Sequence, residues 1–391
     1  MTSTSRPWHL ERGFFADGQA RAVRPVGDVV ALQLNGTDDD TAQVKALLQR
    51  AARQQAGLAS SQFCMMWLSY EAQVALQGPQ RLWPRHPPRA AHGPDVVVCV
   101  VEETAWSPTA LAQRPGLSTT SKAHEAHLQR VAQCREALYA GTLYQANLAH
   151  PLVVAAASAD DGEGFYAAQR RPPYSALVHV DGFSLVSLSP ECFFKVDLRD
   201  RWARAYPIKG TVPRGQTPAD DEHQRRRLED SAKDAAEHVM IVDLLRNDLG
   251  RVARPGGVTV EELLRVVEVE NVFHLESVVR GDLADDVGLV EVLSALSPGG
   301  SITGAPKSAA VEVIHQLEPA ARGPYTGTLG VVDAAGRGAF NILIRSWLRP
   351  DGVDGRLHVG GGIVVDSTPA QEWQETLDKA AAFGIVNVKW S

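Results

Sequence analysis

Short apolar runs and helical stretches follow one another in this chain without strict alternation, and that ordering constrains the fold more than any other feature. Ser175 to Val180, Phe183 to Leu188, Gly327 to Val332 and Phe340 to Leu348 read as strands. Several lie close enough in sequence to be hairpin partners. A doubly wound parallel sheet needs a crossover helix between successive strands, so the ordering predicts an α+β sandwich instead. With 391 residues, 44% of them hydrophobic and 22% charged, the chain can bury a large core or two domains. Three helices stand out. One begins near Ser121 with Leu128, Val131, Ala132 and Leu138 on one face and Gly141 as its stop; one covers Ser231 to Leu249; and one follows Thr368. In the last, Thr368 is the expected N-cap, Pro369 the first helical residue and Gln371 the closing member of a capping box.

Pro79 to Pro94 is rich in Pro and Arg and precedes a strand-like run, Asp95 to Val101, while Trp106 to Thr120 is loop-like. The second stretch predicts a seam between an N-terminal region, 1–120, and a main body, 121–386, the two forming one compact unit. A formal net charge of -7 argues against a nucleic-acid-coating surface but leaves room for a local basic pocket that holds an anionic metabolite. Cys64, Cys99, Cys134 and Cys192 lie far apart, which suggests neither a zinc site nor a disulfide framework and fits a reducing compartment. Met1 to Leu10 lacks the apolar core of a signal peptide, and the run Val96 to Val101 is too short to span a bilayer. A cytoplasmic protein without membrane contact is the expectation.

Asp234 and Glu237 are three residues apart on one expected helix, and Glu372 and Glu375 three apart on another, so each pair projects from one helix face. Four carboxylates on two helices suit a hard cation such as Mg²⁺, which takes oxygen ligands and keeps several waters. Acidic residues in a first helical turn also complement the dipole and stay solvated, so spacing alone leaves both readings open. Ser297 to Lys307 is a glycine-containing stretch leading into a helix, Ser308 to Leu317, whose first amides suit an anion. Gly360-Gly361-Gly362 lets backbone approach a ligand, although glycine turns without ligands are common. Arg345 ends the strand-like run Phe340 to Arg345, with a fork suited to a carboxylate or to an ordinary ion pair.

Taken together and in order, the segments Tyr144 to Leu148, Ser187 to Glu191, Pro207 to Thr211, Glu237 to Leu249, Ser297 to Lys307, Arg322 to Gly327, Ile344-Arg345, Gly360 to Ile363 and Glu375-Thr376 resemble the motifs of the chorismate-utilising enzymes. That family includes anthranilate, aminodeoxychorismate and isochorismate synthases, and the resemblance runs from about Ser121 to Phe383. Trp67 to Ala72 is the clearest piece of the more variable N-terminal region. The resemblance implies a large sandwich of two mainly antiparallel sheets with helices on the outer faces and a buried cleft for chorismate and magnesium. It implies that Glu237 and Glu375 ligate the metal, with Asp234 and Glu372 supporting it. Tyr325, Arg345 and the amides of Gly361 and Gly362 would hold a chorismate carboxylate, with Thr303 and Gly304 near the ring substituents. Thr142, Tyr206, Cys192 and Gly257 depart from residues frequent in the family, and none falls on a proposed metal or catalytic position.

Within the family, Lys209 resembles the aminodeoxychorismate synthases, whereas anthranilate synthases usually carry alanine there. Its amine would attack C2 and expel the C4 hydroxyl with an allylic shift, splitting one difficult displacement into two easier steps. Ammonia would then add at C4 and expel the lysine. Glu191 would be the general acid, which requires a carboxyl kept neutral by its surroundings. His274 would assist proton transfer or orient the ring. No Gly-x-Cys-x-Gly elbow marks a class I glutaminase, so ammonia is expected from solution or from a separate glutamine amidotransferase subunit. Anthranilate synthase component I is the nearest alternative, and isochorismate synthase is disfavoured because Gln145 stands where those enzymes carry a lysine base. A chorismate-binding regulatory subunit without turnover is the alternative of another class.

Overall fold

Hairpins carry most of the architecture. Ala176–Val180 pairs antiparallel with Phe183–Ser187, Thr328–Asp333 with Arg337–Asn341, and Ala253–Val269 with Val272–Leu283. The computed structural model describes residues 8–390 except 16, 18, 33, 35–38, 78–93, 105–116, 155–161, 181, 270–271, 319, 351–352 and 382–387. Among these residues every strand pairing is antiparallel save that of Leu117–Thr119 with Val388–Trp390. The chain is α+β, as its ordering predicts. The two expected sheets are joined in one hydrogen-bonded ladder, because strands such as Val272–Leu283 bond neighbours on both edges.

Strands from the first 120 residues bond directly to strands of the main body. Gln62–Leu68 lies against Thr328–Asp333, and Trp8–Leu10 against Ala176–Val180. The expected loop Pro79 to Pro94, save Pro94 itself, and most of Trp106 to Thr120 lie outside the described residues, whereas Asp95 to Val101 falls on strand Val96–Glu103.

Helix Ala232–Gly250 buries Ile241, Val242, Leu245 and Leu249, which share the apolar core with Phe194 and Phe340; those two rings stack at 4.5 Å. Three expectations are corrected in detail. Helix Ser121–Tyr139 buries His127, Val131, Cys134 and Leu138, so its inner face is rotated from the Leu128/Ala132 stripe, and Ala132 is exposed. The run Phe340 to Leu348 is two strands, Arg337–Asn341 and Ser346–Pro350, because Arg345 turns the chain with a left-handed φ of 49°. In the last helix, Pro369–Ala381, Thr368 Oγ1 donates to the Gln371 side chain at 2.7 Å, a contact between side chains in place of the reciprocal backbone bonds of a capping box.

Candidate active site

Strand Ile208–Pro213 slips register against Val272–Leu283 between Ile208 and Thr211, and Gly210 in that bulge has φ +87°. A Cβ at Gly210 would lie 3.2 Å from the Asp234 and Leu228 side chains, so glycine serves there for both backbone and space. The bulge presents Lys209 to a cavity of about 800 Å³. Its Nζ lies 3.4 Å from Glu237 Oε2 on helix Ala232–Gly250. Behind it, the Lys209 carbonyl accepts from His238, whose other ring nitrogen is 2.7 Å from Ser277 Oγ.

Glu191 lines the same cavity from the turn before strand Cys192–Asp197. Its backbone N–H donates to Ser189 Oγ at 3.2 Å, and Ser189 Oγ donates to the Ile342 carbonyl, so the turn is tied to the segment that leads to Arg345. Burial pushes the Glu191 carboxyl up to about 7, against the opposing pull of Arg345 and Lys209. His274 reaches the cavity from strand Val272–Leu283, with Nδ1 2.7 Å from Thr211 Oγ1. Burial, and then the Arg345 charge, hold its imidazole down to about 4 and hence neutral at pH 7.

Arg345 and Tyr325 lie on the cavity wall. The left-handed turn at Arg345 gives its carbonyl to the Leu188 N–H at 2.9 Å, and Tyr325 stacks on His358 with ring centroids 5.8 Å apart. Gly360 is needed beside it, since a Cβ there would come within 2.8 Å of the Tyr325 hydroxyl. Gly362 faces the cavity, whereas a Cβ at Gly361 would point to the carboxylates of helix Pro369–Ala381. Thr303 and Gly304 are not on the wall. Thr303 is fully buried with its carbonyl bonded to Asn147 N–H, and Gly304, at φ +141°, packs against the Gln145 carbonyl; Ser301 and Ile302 form the surface in their place.

Asp234, Glu237, Glu372 and Glu375 all line the cavity. Asp234 is engaged with its own N-cap, Ser231, and Glu375 is paired with Lys379 at 2.6 Å. Among the described residues no three His, Cys, Asp or Glu side chains form a ready-made metal cage. The donors nonetheless suit a cation that uses one or two carboxylates, waters and ligand oxygens. Glu372 Oε2 is buried with no hydrogen-bond partner, and a Cβ built at Gly361 would meet it at 3.0 Å and Glu375 Oε1 at 3.4 Å, so the two carboxylates converge. Burial raises the Glu372 pKa, outweighing a hydrogen bond from Ser367 and the charges of Lys379 and Lys209, while the neighbouring Glu375 adds to the rise.

Asn147, His358, Lys233 and Lys379 also line the cavity and were not singled out by sequence reasoning. Lys379 carried a signal, four residues beyond Glu375, and Asn147 lies inside the Tyr144 to Leu148 segment; His358 and Lys233 carried none.

The sequence model of the chorismate binding enzymes matches residues 12–384. The chain belongs to this family. Among curated members it is 43% identical over 277 residues to anthranilate synthase component 1 3 of Haloarcula marismortui, covering 70% of this chain and 54% of that protein. It is 40% identical over 288 residues to aminodeoxychorismate synthase component 1 of Klebsiella aerogenes, covering 70% and 62%. The matched stretch thus spans little more than half the length of these relatives. The family fold is evident in crystal structures of anthranilate synthase component I from Streptococcus pneumoniae, with TM-score 0.76, 21% identity and coverage of 98% of this chain and 93% of that one. It is evident too in the menaquinone-specific isochorismate synthase of Escherichia coli, with TM-score 0.74, 20% identity and coverage of 98% and 89%. Among the described residues no helix is long and apolar enough to cross a membrane.

Proposed function

We propose that the protein aminates chorismate at C4 to give 4-amino-4-deoxychorismate, as the catalytic component of an aminodeoxychorismate synthase. The observation that carries the reading is Lys209, presented by a glycine bulge to the cavity that also holds Glu191, a carboxyl pushed up to about 7. In this scheme the Lys209 amine forms a bond to C2, the ring double bond shifts, and the C4 hydroxyl leaves as water with the proton of Glu191. Ammonia then bonds to C4, the double bond returns, the C2–nitrogen bond breaks, and the Glu191 carboxylate recovers a proton from the incoming nitrogen. Before the first step Lys209 must lose its own proton to solvent, because Glu237, 3.4 Å from Nζ, is assigned to the metal.

Arg345 and Tyr325 would hold one substrate carboxylate. His274, neutral and bonded to Thr211, would orient the ring. Glu237 and Glu375 would hold Mg²⁺, with Glu372 beside them, and the bound ion would neutralise the second substrate carboxylate. Ammonia would come from a separate glutamine amidotransferase subunit.

Amination at C2 by an anthranilate synthase component is the second reading, favoured by the 43% identity to the Haloarcula marismortui protein. Product analysis separates the two. Incubated with chorismate, ammonium and Mg²⁺, the protein is expected to yield a product that keeps its enolpyruvyl group and carries nitrogen at C4 by NMR. Fluorescent anthranilate with released pyruvate would overturn the proposal.

A further inference from the structure

His150 lies on strand Gln145–Val154 opposite Val359 of strand Gly355–Ile363, two residues from Gly361 and on the same face of the pair. Helix Pro369–Ala381 packs across that face. His150 Nε2 is 2.9 Å from Thr376 Oγ1, and its ring stacks on Trp373 with centroids 4.6 Å apart and planes 18° from parallel. The Thr376 hydroxyl donates its proton to the Trp373 carbonyl at 2.7 Å, so its lone pair receives the Nε2–H of His150. A second ring, His127 of helix Ser121–Tyr139, lies 4.6 Å from His150. Three elements therefore meet at His150.

Thr376 and Trp373 flank the two cavity-facing carboxylates in sequence, Trp373 next to Glu372 and Thr376 next to Glu375. One helix side thus faces the histidine joint while the adjoining side carries the acidic pair over Gly361. A rotation or slide of this helix would move both carboxylates together; the bond to Thr376 opposes rotation on the histidine side, as the Lys379 Nζ bond to the Gly360 carbonyl at 2.9 Å does on the cavity side.

From this geometry we infer that His150 is a positioning residue, holding helix Pro369–Ala381 in the rotation that turns Glu372 and Glu375 toward the cavity as a cation-binding pair. This rests on the metal reading given above. Burial, and then the neighbouring His127, keep the pKa of His150 well below its ordinary value, so the ring stays in the neutral form that donates through one nitrogen. His127 is likewise held down to about 4, first by burial and then by Arg130. Glu372, Glu375 and Lys379 belong to the cavity side of the helix and do not bond to the joint.

The test is Mn²⁺ binding to the metal-free, full-length protein, followed by the paramagnetic resonance of the free ion and so independent of turnover. His150→Phe keeps a ring on Trp373 but loses the donor; Thr376→Val keeps the shape and loses the acceptor; Thr376→Ser restores the hydroxyl. The first two are expected to weaken Mn²⁺ binding by roughly tenfold, the scale seen for residues that orient metal ligands, and the serine variant to bind as wild type. Wild-type affinity in both His150→Phe and Thr376→Val overturns the positioning role. Should His150→Phe fail to fold, the contrast between Thr376→Val and Thr376→Ser decides alone. Absence of Mn²⁺ binding by the wild type would instead bring down the metal reading, and this inference with it.

Discussion

Glu191 shows how burial suits a carboxyl to the general-acid role proposed for it. It is 9% exposed, and burial outweighs the nearby cations, so its carboxyl titrates at about 7. A group in that range can both give and recover a proton at neutral pH. Glu191→Gln keeps the shape without the proton and should lower kcat by roughly 10² to 10⁴, with loss of any kinetic limb near pH 7. The same shift has a stability consequence. Because the folded pKa lies above the ordinary glutamate value of 4.5, the folded state holds the proton more tightly, and the contribution is complete below that value and lost as pH rises through about 7. Urea midpoints at pH 5 and 8 should differ less in Glu191→Gln than in the wild type. Lys209→Ala removes the proposed nucleophile while leaving Arg345 and the acidic residues in place. Chorismate should still bind in a calorimeter while C4 amination falls by orders of magnitude, and the covalent adduct expected by intact mass in the wild type without ammonia should be missing. An active variant together with no adduct on the wild type would reduce the lysine to an electrostatic role.

Between elements, the site depends on groups that never reach it. Arg322 is 1% exposed and pairs with Glu318 at 2.7 Å. Its guanidinium also donates to the carbonyls of Asn147 and Ile302 and to Thr326 Oγ1, while Glu318 accepts from the Ala149 N–H. One ion pair thus ties strand Gln145–Val154 to the Ile302 turn and the segment after Tyr325, three parts of the cavity wall. Removing one partner leaves an uncompensated buried charge, so Glu318→Ala should cost about 3–5 kcal/mol of folding stability, measured by chemical denaturation. The helices that carry the acidic pairs were legible in sequence because spacing on a helix is local: Ser231 caps Ala232–Gly250, and Pro369 opens the helix of Glu372 and Glu375. Arg345 was not legible in the same way. Its apolar neighbours read as one strand, and only the left-handed turn, held by the bond from Leu188, breaks that run and turns the chain at the cavity wall.

At the scale of the whole molecule, the cavity gathers side chains from residues 147 to 379, so no single segment contains the chemistry. A partner that delivers ammonia is part of the proposal and can be tested with the protein alone: purified to homogeneity, it should aminate chorismate with ammonium but not with glutamine. Glutamine-dependent turnover would show a glutaminase activity within the chain itself. The sequence by itself determined the mixture of hairpins and amphipathic helices, the acidic pairs at helical spacing, and the ordered segments that tie the chain to the chorismate-binding family. All of these depend on residue type and short-range periodicity. Tertiary structure alone decided which of those residues share a wall. It placed Lys209 beside Glu237 and put Thr303 and Gly304 behind Ser301 and Ile302. It also brought His358 and Lys379 to the cavity and set His150 against the helix of Glu372 and Glu375. The reason is that convergence in space comes from strand register and helix packing between distant segments, and burial, which sets the proton affinity of Glu191, exists only once those segments have closed around it.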